Sequence, residues 1–212
     1  MGSEQVIAAD LVEEDKNIQC KYYKLDVTDF KTYEKIVQEE EVDYVLHLAA
    51  ILSSLGEKYP DLAYDVNVNG AANAFNIAKD NNCQLFMPSS IAVFGGNHFE
   101  KHNTPNDTIL QPKTIYGVTK VFNEGLGEYY QNKYGLDFRS IRYPGVISSA
   151  KYAFNGTTDY STGKFPLKCF LSLKIHIEIF FHALKNLQYK CWLGKDQALP
   201  MIYVDDVISA TI

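Results

Sequence analysis

"TIYGVTK", residues 114–120, is the stretch on which the fold assignment turns. Tyr116 stands four residues before Lys120 in a run that opens a helical pattern reaching Tyr134, and Gly135 follows where a left-handed helix cap belongs. Spacing of i, i+4 sets phenol and ammonium on one helix face. A phenol with its ordinary pKa of about 10 is a poor base at neutral pH, and a nearby cation favours the phenolate. The same spacing also describes two solvated helix residues, so the surroundings decide its meaning.

Working outward, "CQLFMPSS" (83–90) is an apolar strand that ends on Ser89 and Ser90. In an open α/β sheet the carboxyl edge of the strands is where ligands bind, and Ser90 offers a hydroxyl there; strand-end serines also serve as turn formers. Further upstream, "VDYVLHLAA" (42–50) reads as a buried strand and "KYYKLDV" (21–27) and "QVIAAD" (5–10) as two more, the last closing at Asp10. "TDFKTYEKIVQEEE" (28–41) is a helix capped by Thr28 or Asp29, with Phe30, Tyr33, Ile36 and Val37 on one face. Pro60 to Asn81 reads as one long helix. Downstream, "LDFRSIRYPGV" (136–146) is a strand running into a Pro-Gly turn, and "MIYVDDVISATI" (201–212) a strand followed by an Asp-capped helix. Strands alternating with helical segments give an α/β fold with a parallel sheet covered by helices, without internal repeat or interdomain linker.

Composition narrows the function. With 46% hydrophobic and 22% charged residues the 212-residue chain can bury a core as a single domain. A formal charge of -6 without any basic run leaves no electrostatic footprint for nucleic acid or an anionic membrane. Cys20, Cys83, Cys169 and Cys191 lie far apart with no C-x-x-C pair, the pattern of reduced intracellular thiols. No metal site is expected: His98 and His102 have helical spacing in "HFEKH", but loop-forming sequence flanks them and the Glu is misplaced for a zinc protease. The apolar run "FPLKCFLSLKIHIEIFF" (165–181) is cut by Lys168, Lys174, His176 and Glu178, so no membrane span and no targeting segment is read.

"SSIAVFG", then Y-x-x-x-K beginning 26 positions after Ser90, together resemble the extended short-chain dehydrogenase/reductases, the NAD-dependent epimerase/dehydratase superfamily. The resemblance implies a Rossmann-like doubly wound sheet, with Tyr116 as the base, Lys120 lowering its pKa and holding the nicotinamide ribose, and Ser90 orienting the reacting oxygen. It also implies contact with the dinucleotide at Asp10 (ribose hydroxyls), Asp26 and Val27 (adenine side), Leu48, Ala49 and Ala50 of "HLAA", Asn67, and Tyr143, Pro144 and Val146 beside the nicotinamide. Asp10, followed by Glu13 and Glu14 with no Arg near, repels a 2'-phosphate and favours NAD.

Within that superfamily "ILSSLGE", "SSIAVFG", "TIYGVTK", "DFRSIRYPGVISS", "GTTDY" and "LPMIYVDD" closely resemble the short-chain L-threonine 3-dehydrogenases. This implies oxidation of L-threonine to 2-amino-3-oxobutanoate with NAD. Ser53, Ser54, Ser90, Thr157 and Thr158 would lie around the amino acid, although the serines and threonines of those loops equally suit capping roles. A homodimer through the tyrosine-bearing helix and, for a eukaryotic source, a mitochondrial site (otherwise cytoplasmic) also follow from the resemblance. A nucleotide-sugar epimerase or reductase, and a non-catalytic remnant, are the alternatives.

Three departures from that pattern stand out. The chain reads as a single incomplete Rossmann-like domain, residues 1–212, lacking the family's first strand and glycine-rich turn: its glycines before residue 95 are Gly2, Gly56 and Gly70. Strand order 3-2-1-4-5-6 would put the absent strand between those ending at Asp10 and His47, so either the sheet closes across a gap or Asp10 is displaced. "TGKFPLKCFLSLKIH" (162–176) reads as an insertion foreign to the family, and the end at Ile212 leaves only part of the substrate lobe.

Overall fold

The computed structural model describes residues 6–13, 18–95, 103–147 and 200–212. Glu14, His98, His102, Thr157, Thr158, Cys169, Cys191 and the segment 162–176 lie outside the described residues.

Chain order is β1 (Ile7–Asp10), β2 (Lys21–Lys24), α1 (Phe30–Glu39), β3 (Tyr44–Leu46), α2 (Ser53–Lys58), α3 (Pro60–Tyr64), a π-helical turn (Asp65–Gly70) and α4 (Ala71–Asp80). There follow β4 (Gln84–Phe86), β5 (Ser89–Ser90), a 3-10 turn (Ile91–Val93), α5 (Ile115–Tyr134), β6 (Phe138–Arg139), β7 (Arg142–Tyr143), β8 (Gly145–Ile147), β9 (Met201–Tyr203) and α6 (Val204–Thr211). Every strand pair is parallel. The fold is α/β and Rossmann-like, as the sequence pattern requires.

The sheet does not close across the gap. Among the described residues β1 pairs only with β2, and β3 pairs only with β4, so a break separates the β1-β2 pair from the β3-β4-β6 sheet. β5 and β7 prolong β4 and β6 after a short interruption, because Leu85↔Phe138 and Ser89↔Arg142 keep the same offset and the Met87 N–H still donates to the Arg139 carbonyl at 3.1 Å. β8 and β9 form a further pair beyond the bend at Pro144.

Helix α1 links the two sides of the break. Asp29 caps it by accepting from the Thr32 N–H at 3.2 Å, and Tyr33, Ile36 and Val37 turn inward as their spacing dictates, with Phe30 half-buried beside them. Its C-terminal Glu40 takes the hydroxyl of Tyr23 from β2, while Tyr33 stacks on His47 just past β3. One core thus runs on both sides of the break: Leu25, Val37 and Val45 share it with Phe75, Ile77 and Leu85, the last three fully buried and each worth about 1.5–3 kcal/mol of transfer free energy.

Three local expectations are corrected. β3 is not buried throughout: Val45 and His47 are, but Tyr44, Leu46 and Leu48, which point to the opposite face of the sheet, are exposed because that face is not covered by the described residues. The long helix from Pro60 is broken by the π turn at "DVNVNG". Asp205 and Asp206 sit inside the first turn of α6, whose cap position is Tyr203.

Candidate active site

The first turn of α5 lies against the end of β5. Thr114 caps the helix by accepting from the Gly117 N–H at 3.1 Å, and Glu57 of α2 accepts from the Ile115 N–H at 2.8 Å. Gly117 allows the approach: a methyl there would stand 2.7 Å from Pro112 Cβ and 3.1 Å from the Ala92 carbonyl carbon, with the carbonyl oxygen closer still. The helix therefore seats against the 3-10 turn after Ser90, whose Oγ accepts from the Ala92 N–H at 3.1 Å, and this brings the Tyr116 phenol near enough to the Ser90 hydroxyl to feel it.

Lys120 lies one turn further along the same face. It is 5% exposed; its Nζ donates to the Pro88 carbonyl at 2.7 Å and stands 5.5 Å from the centre of the Tyr116 ring. No carboxylate pairs with it among the described residues. Burial lowers its pKa to about 8. The Tyr116 phenol is raised above its ordinary value by burial, a shift that the nearby Ser90 hydroxyl opposes. The expected lowering of the phenol by a neighbouring cation is thus absent in this structure, where the ammonium meets the ring face and a carbonyl.

A second set of contacts holds these groups in place. Glu124, one turn beyond Lys120, takes both Arg142 Nε (2.9 Å) and Nη2 (2.7 Å) and also accepts from the Ser89 hydroxyl, tying α5 to β5 and β7 at once. Desolvation pushes its carboxyl up, but the hydrogen bonds from Arg142 and Ser89 and the Arg142 charge together outweigh it, so the carboxyl sits below the usual range. Asn67, in the π turn, accepts from the Ile51 N–H (2.7 Å) and donates to the Ile51 carbonyl (3.0 Å) and the Thr119 hydroxyl (3.2 Å). Its own carbonyl, freed from the regular helix ladder, accepts from Asn123 at 3.1 Å. The amide of Asn67 therefore fastens the 47–51 loop to α5. Sequence reading missed Glu124, Arg142, Gly117 and Asn123; Tyr116, Lys120 and Glu124 do share i, i+4, i+8 spacing, a signal for the first of these.

The other candidates fall along one edge, the carboxyl ends of the parallel strands. Asp10 closes β1 with its carboxylate exposed and accepting from the Val12 N–H at 3.3 Å; Asp26, beyond β2, accepts from the Thr28 N–H and hydroxyl at 2.9 and 2.7 Å. Val27 packs on Gly70, and its carbonyl accepts from Asn73 at 3.0 Å. Leu48, Ala49 and Ala50 follow β3, Leu48 and Ala49 being exposed. Ser53 and Ser54 open α2, and Tyr143, Pro144 and Val146 line the bend from β7 into β8, where the Tyr143 hydroxyl meets Thr211. His47 is the unexpected member: fully buried, with Nε2 lacking a partner and its pKa lowered to about 4 by burial and then by the charge of Lys120. No three of the described His, Cys, Asp or Glu side chains gather to hold a metal, and no helix among the described residues is long and apolar enough to cross a membrane.

Residues 2–212 match the NAD dependent epimerase/dehydratase family. The chain belongs to that family. It is 37% identical over its whole length to the mitochondrial L-threonine 3-dehydrogenase of Bos taurus, of which it covers 53%. Among solved structures it resembles a monomeric L-threonine 3-dehydrogenase from a metagenome in its apo form, with 43% identity and a TM-score of 0.83 over 98% of this chain and 62% of that one. The L-threonine dehydrogenase of Phytophthora infestans is 44% identical, with a TM-score of 0.78 over 90% of this chain and 57% of that one. The chain thus spans between half and two thirds of these relatives.

Family membership implies an NAD(P) cofactor, and the residues present fit it unevenly. Asp10, Asp26 and the bends after β3 and β7 line the edge where its nucleoside ends would rest. The described residues hold no glycine-rich turn of the kind whose backbone amides would hold its pyrophosphate.

Proposed function

We propose that the chain carries the proton-handling centre of a short-chain L-threonine 3-dehydrogenase, with Tyr116, Ser90 and Lys120 as its working residues. The observation that supports this most is the Tyr116–Ser90 hydroxyl pair above a buried, carboxylate-free Lys120 at the carboxyl edge of a parallel sheet. A secondary alcohol entering between them would meet both hydroxyls. Ser90 holds the substrate oxygen, and Tyr116 as phenolate takes the hydroxyl proton while the C–H hydride leaves the same carbon. Lys120, still largely charged at neutral pH with a pKa near 8, would favour that phenolate on turning from the Pro88 carbonyl toward the phenol oxygen. NAD, when bound, supplies the hydride acceptor.

The substrate assignment rests on the threonine dehydrogenases among the similar proteins and on Ser53 and Ser54 at the head of α2, which lies against the start of α5. NAD rather than NADP is favoured by the exposed Asp10 carboxylate at the end of β1 and by Glu13, which occupies the nearby ammonium of Lys24. For a eukaryotic source, the mitochondrial designation of the bovine protein is the compartment that fits.

The test is direct. The purified chain is titrated to millimolar NAD by thermal shift and assayed for threonine-dependent NADH formation, with UDP-sugars in a parallel arm. Threonine-dependent NADH supports the reading. Turnover of UDP-sugars alone replaces it, and the absence of both shift and turnover removes enzymatic activity from this polypeptide.

A further inference from the structure

We propose that Tyr129, near the C-terminal end of α5, is a site of covalent modification whose phenol oxygen takes a sulfonyl group from an electrophilic sulfonyl donor, with Lys133 as its activator. The spacing of Tyr116 and Lys120 recurs on the same helix: in "YYQNK", residues 129–133, Lys133 again stands four positions after a tyrosine. The two pairs differ in what the ammonium meets. Lys120 Nζ donates to the Pro88 carbonyl, whereas Lys133 Nζ donates to the Tyr129 hydroxyl oxygen at 2.6 Å. The second pair lies about 20 Å further along α5, at roughly 1.5 Å per residue, and so stands apart from the Ser90 edge.

Packing holds the ammonium on that oxygen. Lys133 Nζ stands 5.1 Å from the centre of the Tyr129 ring and 5.3 Å from that of Tyr134. The rings of Tyr129, Tyr130 and Tyr134 meet edge to face, their centres between 5.1 and 6.1 Å apart. Tyr130 fixes the group to the body of the fold, with its hydroxyl on Asn76 at 2.8 Å and its ring against Phe75. From α4, Lys79 lies 5.2 Å from the centre of the Tyr134 ring and is paired with Asp80 at 2.9 Å. No carboxylate pairs with Lys133 among the described residues, so its charge is left to the phenol.

A hydrogen bond from a cation favours the charged form of the group that accepts it. The Tyr22 and Tyr130 hydroxyls donate, to the Val12 carbonyl and to Asn76. The Tyr129 oxygen accepts, and its phenol is lowered from the ordinary value, first by the Lys133 hydrogen bond. Tyr129 is also 47% exposed, so a reagent reaches it from solvent. With a sulfonyl fluoride, the phenol proton passes to solvent and the phenolate oxygen attacks sulfur; the O–S bond forms, the S–F bond breaks, and fluoride leaves with the electron pair. Lys133 keeps its proton, since the same hydrogen bond raises its pKa, and its nitrogen therefore does not compete.

The test labels the full chain at neutral pH with a substoichiometric aryl sulfonyl fluoride and reads each site by peptide mass spectrometry. Tyr44, Tyr59 and Tyr64, 44, 47 and 55% exposed, are internal controls. Tyr59 carries the Lys58 ammonium over its ring at 5.1 Å, which separates a cation on the face from one on the oxygen. Tyr129 is expected to label roughly three- to tenfold faster than these and than buried Tyr116. Lys133→Met lowers its rate to that of the controls, and Lys133→Arg restores most of the preference. Equal labelling of Tyr129 and the controls in the parent chain overturns the proposal without any variant. So does label gathering first on Tyr116 or the Lys133 nitrogen, a rate unchanged by Lys133→Met, or a preference that persists once urea has unfolded the helix.

Discussion

Replacing Gly117 with alanine sets two effects of opposite sign against each other. In a helix interior the change gains about 1 kcal/mol of propensity. Against this, the new methyl would stand 2.7 Å from Pro112 Cβ and 3.1 Å from the Ala92 carbonyl carbon. Carbon atoms settle at about 3.5–4.0 Å, so the first turn of α5 must withdraw by about 1 Å. Because Ala92 presents backbone rather than a movable side-chain end, the overpacking cost belongs in the upper part of the usual range of about 1–3 kcal/mol. The net expectation is a loss of about 1–2 kcal/mol, or roughly 2–8 °C in Tm for a chain of this size. Gly125 on the same helix is the control: nothing lies within 4 Å of a methyl there, so Gly125→Ala gains about 1 kcal/mol. Urea unfolding of both variants reads the two signs side by side. A Gly117→Ala chain as stable as the parent, with Gly125→Ala stabilised, would show that the contact with the Ala92 turn does not constrain the helix.

Three more outcomes follow from the same geometry. Glu124 has a native carboxyl below its ordinary value, so its contribution is full above the unfolded pKa of about 4.5 and fades as pH falls through the native one; Glu124→Gln flattens that acid limb of the stability profile measured by urea unfolding. His47, depressed to about 4, stays neutral in the native chain while the unfolded residue protonates near 6.5, so stability falls as pH drops between these values, by on the order of 3 kcal/mol; His47→Phe removes that slope. If the purified chain oxidises threonine, Tyr116→Phe lowers kcat by about 10²–10⁴-fold with KM little changed, whereas an equal loss in KM would mark the phenol as a binding group only.

Tyr116, Lys120 and Ser90 were legible because their meaning lies in local spacing: an i, i+4 pair and a strand end are set by backbone geometry. Other features arise from pairs distant in the chain. Glu124 reads as a solvated helix carboxylate until Arg142, 18 positions on, closes upon it. The π turn was hidden because apolar periodicity runs through "DVNVNG" as through any helix, and the cause of the register slip, the Asn67 carbonyl captured by Asn123, lies 56 positions away. β3 was read as buried from its apolar run, yet burial belongs to a strand and its neighbours together. Leu46 is exposed because its face of the sheet is not covered by the described residues, which no property of "VDYVLHLAA" itself announces.

The two sides of the break also differ in how firmly they are held. The β4 side is fully packed: Leu85 is completely buried and Phe86 nearly so, and the loops around it are tied to α5 through Asn67, Asn123 and Glu124. No residue of β1 or β2 is buried, and the pair is fastened to the rest by α1, by Asn73 on the Val27 and Thr28 carbonyls, and by Val27 against Gly70. Peptide groups with little apolar cover open by local fluctuations, whereas those in a dry core wait for global unfolding. Native-state exchange should therefore find the Leu85 and Met87 amides opening with the full stability of the chain, and those of the β1–β2 ladder with markedly less. Equal values would mean that α1 couples both sides into one cooperative unit. Unequal values would mean that the Tyr116–Ser90–Lys120 centre stays assembled while the β1–β2 pair opens and closes.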